Sequence, residues 1–583
     1  MSHPHPKSDI RHPKSTDETI KETFESIVIA FILAFIFRAY VVEAFIIPTG
    51  SMAPTLLGEH VALRCEQCGY DFAVDQSGQA GRLTASRAQA VPCPMCKFPQ
   101  PVPMSSPTQT GDRLLVQKYA YYLAEPTRWD VVVFRNPQRT NDNGTPGPKT
   151  NYIKRLVGLP NEALYLIDGN VYVRPYDQPS APWRIARKTD PAENRHWEKI
   201  QRAVWQPIYH SRYVPLDHGR APLASDGDND VFYDRLGRRF DWDCPWKPPS
   251  EQVGDWDLGN AEDGWKRAYS FVPTLKENGY SDPQAVGELQ FNWAEYHGRG
   301  TFYPYNALSG GQGVFGRQPI EDVRIAATLQ SNGWAECSAE LRTTSRLDVD
   351  IETVIARFDA DGQVQLIREN DSGQVTLASA DLGRPLTAPG SASIELWNVD
   401  QELLVWVDGQ VVIRHAFDLS MDQIKQRPPP ADRPDVSIRV FGGPATLHAV
   451  ELDRDIAYTP SLSSNLQVAP FGALRRAANG KLLDNPPISI RRGRYFVLGD
   501  NSPISSDGRF WGDVQPWIEQ RMFDEAQHYQ PLPGYKFMRD YAHVVPRGLM
   551  VGRAFFIYFP APYAVSRGGQ QILPNFGDMR FVH

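Results

Sequence analysis

Three stretches decide the fold class: DVVVFRN (Asp130–Asn136), YIKRLVGL (Tyr152–Leu159) and LYLIDGNVYV (Leu164–Val173). Each is short and rich in β-branched and aromatic residues, the side chains that suit a pleated surface. None carries apolar residues at the three-to-four spacing of a helix. Asp168-Gly169 breaks the last run with a dipeptide whose residues both tolerate positive φ, which marks a two-residue hairpin. The pattern recurs upstream in DRLLVQKYAY (Asp112–Tyr121) and far downstream in IRRGRYFVLGD (Ile490–Asp500). The expectation is a mainly β core, assembled from segments distant in sequence.

What separates these segments is itself patterned. From 318 to 455 come alternating runs such as DVRIAATLQ (Asp322–Gln330) and SASIELWNVDQELLVWVDGQVVIRH (Ser391–His415), with hairpin dipeptides at Asp361-Gly362 and Asp408-Gly409. Evenly spaced short strands of this kind predict an inserted β-sandwich of jelly-roll type. Residues 174–317 read as an irregular insert and 456–484 as a linker. A chain of 583 residues exceeds what one core can organise, so several domains are expected.

Composition excludes more than it selects. The chain is 41% hydrophobic and 22% charged with a net charge of −7, so nothing favours a nucleic-acid partner. The longest apolar stretch begins near the start. Ser26–Phe37 (SIVIAFILAFIF) carries no charge, and the run from Ser26 to Ile47 is interrupted only by Arg38 and Glu43. As one helix that run would cover about 33 Å, enough for a bilayer core. Lys7, Arg11, Lys14 and Lys21 precede it, and the next basic residue after Arg38 is Arg64. This asymmetry predicts a single-pass anchor over 24–47, with a cytoplasmic tail at 1–23 and everything else outside the membrane. A cleavable export signal and a buried core helix are the competing readings.

Four of the six cysteines fall in two CxxC pairs, RCEQC and PCPMC. Cys65, Cys68, Cys93 and Cys96 have the spacing of a small zinc-ribbon-like unit, over 65–101, with four thiolates around one tetrahedral metal. Such a site would be structural, since four thiolates leave no open position. Two disulfides are the alternative, and an extracytoplasmic location favours them. Cys244 and Cys337 read as ordinary buried thiols.

Candidate chemistry lies in three segments. Ser51 sits in PTGSMAPTL, where Pro48, Gly50 and Pro54 impose a turn that suits an exposed nucleophile. Lys154 lies in an apolar strand, flanked by Ile153 and Leu156. An ordinary lysine titrates near 10.4, leaving about one in 2,500 neutral at pH 7. Desolvation in an apolar site lowers that value and makes the amine a usable base. The third segment, GDNSPISSDGRFWG (Gly499–Gly512), gathers Asp500, Asn501, Ser505, Asp507 and Arg509 after a hydrophobic strand.

Together these segments resemble the bacterial type I signal peptidases. The resemblance runs through Ser51-Met52-Ala53-Pro54-Thr55, the Gly111-Asp112 strand start, Asp130–Phe134, Tyr152–Pro160 and Gly499–Gly512, in the family's order. It covers about 20–64, 102–173 and 485–580. It implies a β-sheet protease core in three parts (48–64, 102–173 and 485–583) behind one N-terminal transmembrane helix. It further implies Ser51 as nucleophile, Lys154 as general base, and Thr49 with the Ser51 N–H as oxyanion donors. Ser505 would hydrogen-bond the lysine, with Asp507, Arg509, Asp500 and Asn501 in support. No cofactor is implied for catalysis. Signal-peptide-bearing preproteins, the lipid bilayer and the export translocon are the implied partners, at the outer face of the inner membrane. The family lacks both the cysteine unit and so large an insert. The sandwich is similar to laminin-G or concanavalin-like jelly rolls, which implies a glycan or protein ligand, and a packing module without a ligand is the alternative. An inactive surface-binding relative is the rival reading, and the presence of both Ser51 and Lys154 opposes it.

Overall fold

A computed structural model describes residues 16–66, 68–75, 89–96, 98–102, 108–138, 150–213, 245–249, 255–257, 269–272, 286–293, 321–331, 337–348, 350–387, 390–427, 433–458, 473–476, 482–484, 486–502, 505–511, 543–561, 563–564, 572–573 and 575–583. Cys244 and most of the expected linker at 456–484 lie outside these residues.

The mainly β expectation holds. The first sheet is antiparallel and runs in the order Val42–Ile46, Arg113–Gln117, Met550–Phe559, Val131–Arg135, Asn151–Gly158, Arg494–Leu498 and Val545–Pro546. It buries both faces, which explains the continuous apolar run VVVF. Val131 and Val133 pack with Leu114, Val116, Met52 and Leu56 on one side. Val132 and Phe134 pack with Leu156, Val497 and Trp511 on the other. Alternate side chains of a strand point oppositely, so a doubly covered strand has no polar phase.

Leu164–Val173 forms the expected hairpin, with Asp168 at φ +49° and Gly169 at φ +91°. It does not continue the first sheet. Its strands Glu162–Ile167 and Asn170–Pro175 belong to a second sheet with Arg184–Ile185, Ala473–Arg476, Leu482–Asp484 and Ile488–Ile490. The two sheets share a core in which Val157, Phe496 and Leu498 meet Leu164, Leu166, Val171 and Ile490. The strand Asn151–Gly158 ends at Gly158, where a Cβ would lie 2.2 Å from the Ile490 side chain. That close approach lets the chain cross from one sheet to the other.

The sandwich is larger than its strand pattern announced. Two antiparallel sheets face each other over one core containing Trp246, Phe271, Leu289, Leu341, Leu396 and Leu452. Gln206–His210, Trp246–Lys247, Asp255–Asp257, Tyr269–Val272 and Val286–Phe291 all join its sheets, and Trp197–Val204 is helical. The segment 174–317 is therefore not simply an irregular insert. Its strands are too short and too widely spaced to show alternation, and they are held by pairing with the long strands of 321–454, directly or through a neighbouring short strand.

The N-terminal expectation needs correction. The helix spans Thr16–Ile36, a π turn follows at Phe37–Val41, and Val42–Ile46 is a strand paired residue for residue with Arg113–Gln117. Residues from Val42 onward cannot belong to a helix because their backbone groups bond to the sheet. Among the described residues no helix is long and apolar enough to cross a membrane.

Sandwich and core meet at a buried ionic junction. The Lys188 ammonium, 3% exposed, lies 2.7 Å from Asp400 Oδ1 and 2.8 Å from Asp455 Oδ2, and 5.3 Å from the centre of the Trp129 ring. The Lys188 backbone N–H donates to Asp400 Oδ2, and Asp322 accepts from the Asp400 N–H.

Candidate active site

The strand Val42–Ile46 delivers the chain to a closed loop that presents Ser51. Ile47 N–H donates to the Asp112 carbonyl, Gly50–Met52 makes one 3-10 turn, and Glu59 N–H returns to the Pro48 carbonyl at 3.4 Å. The loop closes over itself tightly: a Cβ on Gly58 would lie 2.0 Å from the Thr49 carbonyl carbon. Asp112 pins the base of the loop, accepting from Leu57 N–H at 2.8 Å and Ala561 N–H at 2.7 Å. Burial nonetheless pushes this carboxyl above its ordinary value.

Lys154, 4% exposed, reaches across from its strand and donates from Nζ to Ser51 Oγ at 2.6 Å. Residues 103 apart in sequence are thus in direct contact. The Thr49 hydroxyl lies 3.4 Å from Ser51 Oγ. A serine hydroxyl against a largely desolvated amine, with a second hydroxyl beside it, is an arrangement for nucleophilic acyl transfer.

Behind the pair lies a cage of buried charge. Asp500 receives Arg155 Nε at 2.8 Å and Nη2 at 2.7 Å in a bidentate pair, together with the Thr55 hydroxyl at 2.5 Å. Asn501 holds the nucleophile loop through its N–H to the Ser51 carbonyl (3.1 Å) and its Nδ2 to the Gly50 carbonyl (3.0 Å). Arg509 grips Asp507 with Nε at 2.8 Å and Nη2 at 2.7 Å, and also bonds the Ser502 hydroxyl and carbonyl. Asp507 in turn accepts from Gly499 N–H at 2.9 Å. Pro503, Ile504 and Gly512 lie outside the described residues.

Ser505 departs from expectation. Its hydroxyl is buried and has no hydrogen-bond partner among the described residues, Lys154 included. It lies instead against Gly499, where an added Cβ would be 2.1 Å from the Ser505 oxygen and 2.4 Å from the Ser51 carbonyl oxygen.

The signal peptidase family model (Signal peptidase, peptidase S26) matches residues 98–218, which include the Lys154 strand. Signal peptidase I of Rickettsia typhi is 28% identical over 163 residues, 28% of this chain and 47% of the relative. Signal peptidase I of Rickettsia massiliae is 24% identical over 237 residues, 39% of this chain and 69% of the relative. This part of the chain is similar to the S26 signal peptidases. The match thus spans about half to two thirds of these relatives' length. Among solved structures, a carbohydrate-binding module CBM66 from Bacillus subtilis aligns over 36% of this chain and 95% of its own, at 12% identity and a TM-score of 0.20. At that score nothing about fold or ligand follows.

The core around Lys154 also depends on residues whose roles sequence reading overlooked. Arg155 follows Lys154 on the same strand, so it points to the opposite face, and it is fully buried. A guanidinium there requires a carboxylate, and the adjacency of lysine and arginine in an apolar strand was the available signal. Trp129 has φ +73°, rare for a bulky residue. Its carbonyl accepts from Arg155 Nη1 at 2.8 Å, and its indole N–H donates to the Arg187 carbonyl at 3.1 Å. Nothing local to Trp129 announces this.

The Gly499 contact yields a test. Gly499→Ala will force the Ser51 carbonyl and the Ser505 side chain apart, moving the nucleophile relative to Lys154. Misplacement on the ångström scale costs about 10²-fold in rate. Steady-state cleavage should show this loss in kcat, and retained activity would show that the loop yields harmlessly.

Proposed function

We propose that this chain is a membrane-anchored serine endopeptidase that removes N-terminal signal peptides from exported preproteins. The observation that carries the reading is the 2.6 Å contact between Lys154 Nζ and Ser51 Oγ, held by strand and loop elements rather than by flexible termini. In this mechanism the neutral Lys154 amine takes the Ser51 proton as Oγ attacks the scissile carbonyl. The Ser51 N–H and the Thr49 hydroxyl receive the developing oxyanion, a role such donors fill at about 3 kcal/mol each. Lys154 then returns the proton to the leaving amine, and a water activated by the same lysine hydrolyses the acyl-enzyme.

Two strand edges flank this pair. Val42–Ile46 bonds only Arg113–Gln117 among the described strands. The stretch Asn151–Lys154 bonds Val132–Arg135 on one side, while Arg494–Leu498 reaches no further than Arg155 on the other. An extended substrate segment added between these edges would carry its scissile carbonyl past Ser51 by β-augmentation. The family resemblance supports small residues, typically alanine, at substrate positions −1 and −3.

Membrane attachment is supported by the N-terminal helix. Ile27, Val28, Ile29, Phe31, Ile32, Leu33 and Phe35 are each between 46% and 65% exposed, so apolar side chains cover every face. A helix apolar all round is covered by protein or by lipid, and no described residue buries this one. We read it as the anchor, with its N-terminus cytoplasmic and the catalytic core on the outer side. The four cysteines fit a structural metal site and take no part in the chemistry.

The test is cleavage of a preprotein by detergent-solubilised protein across pH. Only the neutral amine accepts the Ser51 proton, so the rate will rise along an alkaline limb. A profile governed by a group near 6.5, the range of histidine, would overturn the dyad.

A further inference from the structure

The proteolytic reading leaves the cysteine unit unexplained. Cys65 and Cys96 place their sulfurs 3.6 Å apart, Cys68 and Cys93 place theirs 3.7 Å apart, and the four sulfurs lie within 4.8 Å of one another. No disulfide joins these four cysteines. A tetrahedral zinc with Zn–S bonds of about 2.3 Å requires sulfurs about 3.8 Å apart. A disulfide would need about 2.05 Å, and the backbone favours the metal geometry. Each CxxC pair caps a tight turn: Cys65 N–H donates to Tyr70 O and Gly69 N–H to Cys65 O, with Gly69 at φ +73°, while Cys93 N–H donates to Phe98 O.

The unit has little else to hold it. Among the described residues its core consists of the cysteines with Val61, Leu63, Phe72, Val74, Met95 and Phe98. A module of about 40 residues with so small a core ordinarily needs a metal or a cross-link to fold. Its placement is also specific. It leaves the core at His60 and returns at Gln109, whose backbones bond each other both ways at 3.2 and 2.7 Å. That bridge lies directly below the neck of the loop bearing Ser51. At its far side the unit touches the sandwich: His210 N–H donates to Met95 Sδ at 3.2 Å, and Tyr70 stacks edge-on against Tyr213 at 4.9 Å.

We propose that Cys65, Cys68, Cys93 and Cys96 hold one zinc ion, and that the zinc-loaded unit is a strut between the nucleophile-bearing loop and the sandwich. The proteolytic reading enters only in naming the loop that the strut supports. The metal organises both knuckles at once, and through them the Tyr70 and Met95 contacts that the sandwich receives.

Purified full-length protein will contain about one zinc per chain, and cobalt exchanged for zinc will give the visible absorption of a tetrahedral thiolate site. The double variant Cys65→Ser with Cys96→Ser will lose both. It will also exchange backbone amide hydrogens faster at His60–Arg64 and at Ser211–Tyr213, the two ends of the strut. Cys96→His, which keeps a zinc-competent ligand, will retain metal and protection, separating ligation from simple packing loss. Four oxidised cysteines without metal would overturn the proposal. So would metal loss that leaves exchange at Ser211–Tyr213 unchanged. None of these readouts involves peptide cleavage, so their failure leaves the protease assignment to be judged by Ser51→Ala.

Discussion

Ser51→Ala and Lys154→Met will each lower cleavage of a preprotein by about 10⁴-fold or more, and the double variant will be no slower than either single one. The reason is geometric. With Nζ at 2.6 Å from Oγ, the proposed dyad makes each group depend on the other. Residues acting as one unit give non-additive losses. Methionine at 154 preserves volume in the apolar strand, so unfolding temperatures should stay close to the parent. Substantial activity in Lys154→Met would show that another group accepts the proton. Additive losses would show that the two residues act in separate steps.

The second large effect is on stability. Lys188→Met will destabilise the protein by about 3–5 kcal/mol at neutral pH, the usual consequence of leaving buried partner charges uncompensated. Lys188 is the ammonium between Asp400 and Asp455, each with a 2% exposed side chain, and Asp322 adjoins them. Burial raises Asp455 to about 6, although Lys188 pulls it back. Burial, then repulsion from Asp400 and Asp455, pushes Asp322 well up. The sign follows from linkage. An aspartate near 3.9 in the unfolded chain that holds its proton up to about 6 when folded favours the folded state at acid pH. That contribution is lost as pH rises through the window. Denaturant unfolding should therefore show the parent gaining stability over Asp455→Asn as pH falls from about 6 to about 4. The deficit of Lys188→Met should shrink as pH falls toward about 6, because without Lys188 the buried carboxylates hold their protons to higher pH. A deficit independent of pH would mean that the loss is packing rather than charge.

Much of this was legible in the residues, for identifiable reasons. Strands covered on both faces announce themselves as runs such as VVVF, and Asp-Gly hairpins mark their own turns. The Ser51–Lys154 pair was legible because its short segments keep their order and spacing. Legibility failed where an element depends on distant partners. Val42–Ile46 reads as a continuation of the apolar helix until Arg113–Gln117 claims its backbone. Gln206–His210, Tyr269–Val272 and Val286–Phe291 become strands only against Val436–Phe441 and Ala445–Arg454. The bidentate Arg155–Asp500 pair joins residues 345 apart, and neither segment reveals the other. Ser505 was assigned by resemblance to a bond with Lys154, and the close packing of Gly499 gives it a different neighbour.

The hydrogen-bonded gate at His60 and Gln109 has a counterpart elsewhere in the core. Asn170–Pro175, where the large insert departs, and Ile488–Ile490, where it returns, pair with opposite sides of the same strand, Glu162–Ile167. Each excursion thus starts and finishes within one or two strand spacings, about 5–10 Å. Loop-closure entropy grows only as the logarithm of length, so such doorways accept cargo of almost any size at nearly constant expense. Seen this way the catalytic sheet is a chassis with two sockets. Lineages could exchange what is plugged into them without retuning the serine and lysine, and homologous cores would be free to carry unrelated passengers at the same two addresses.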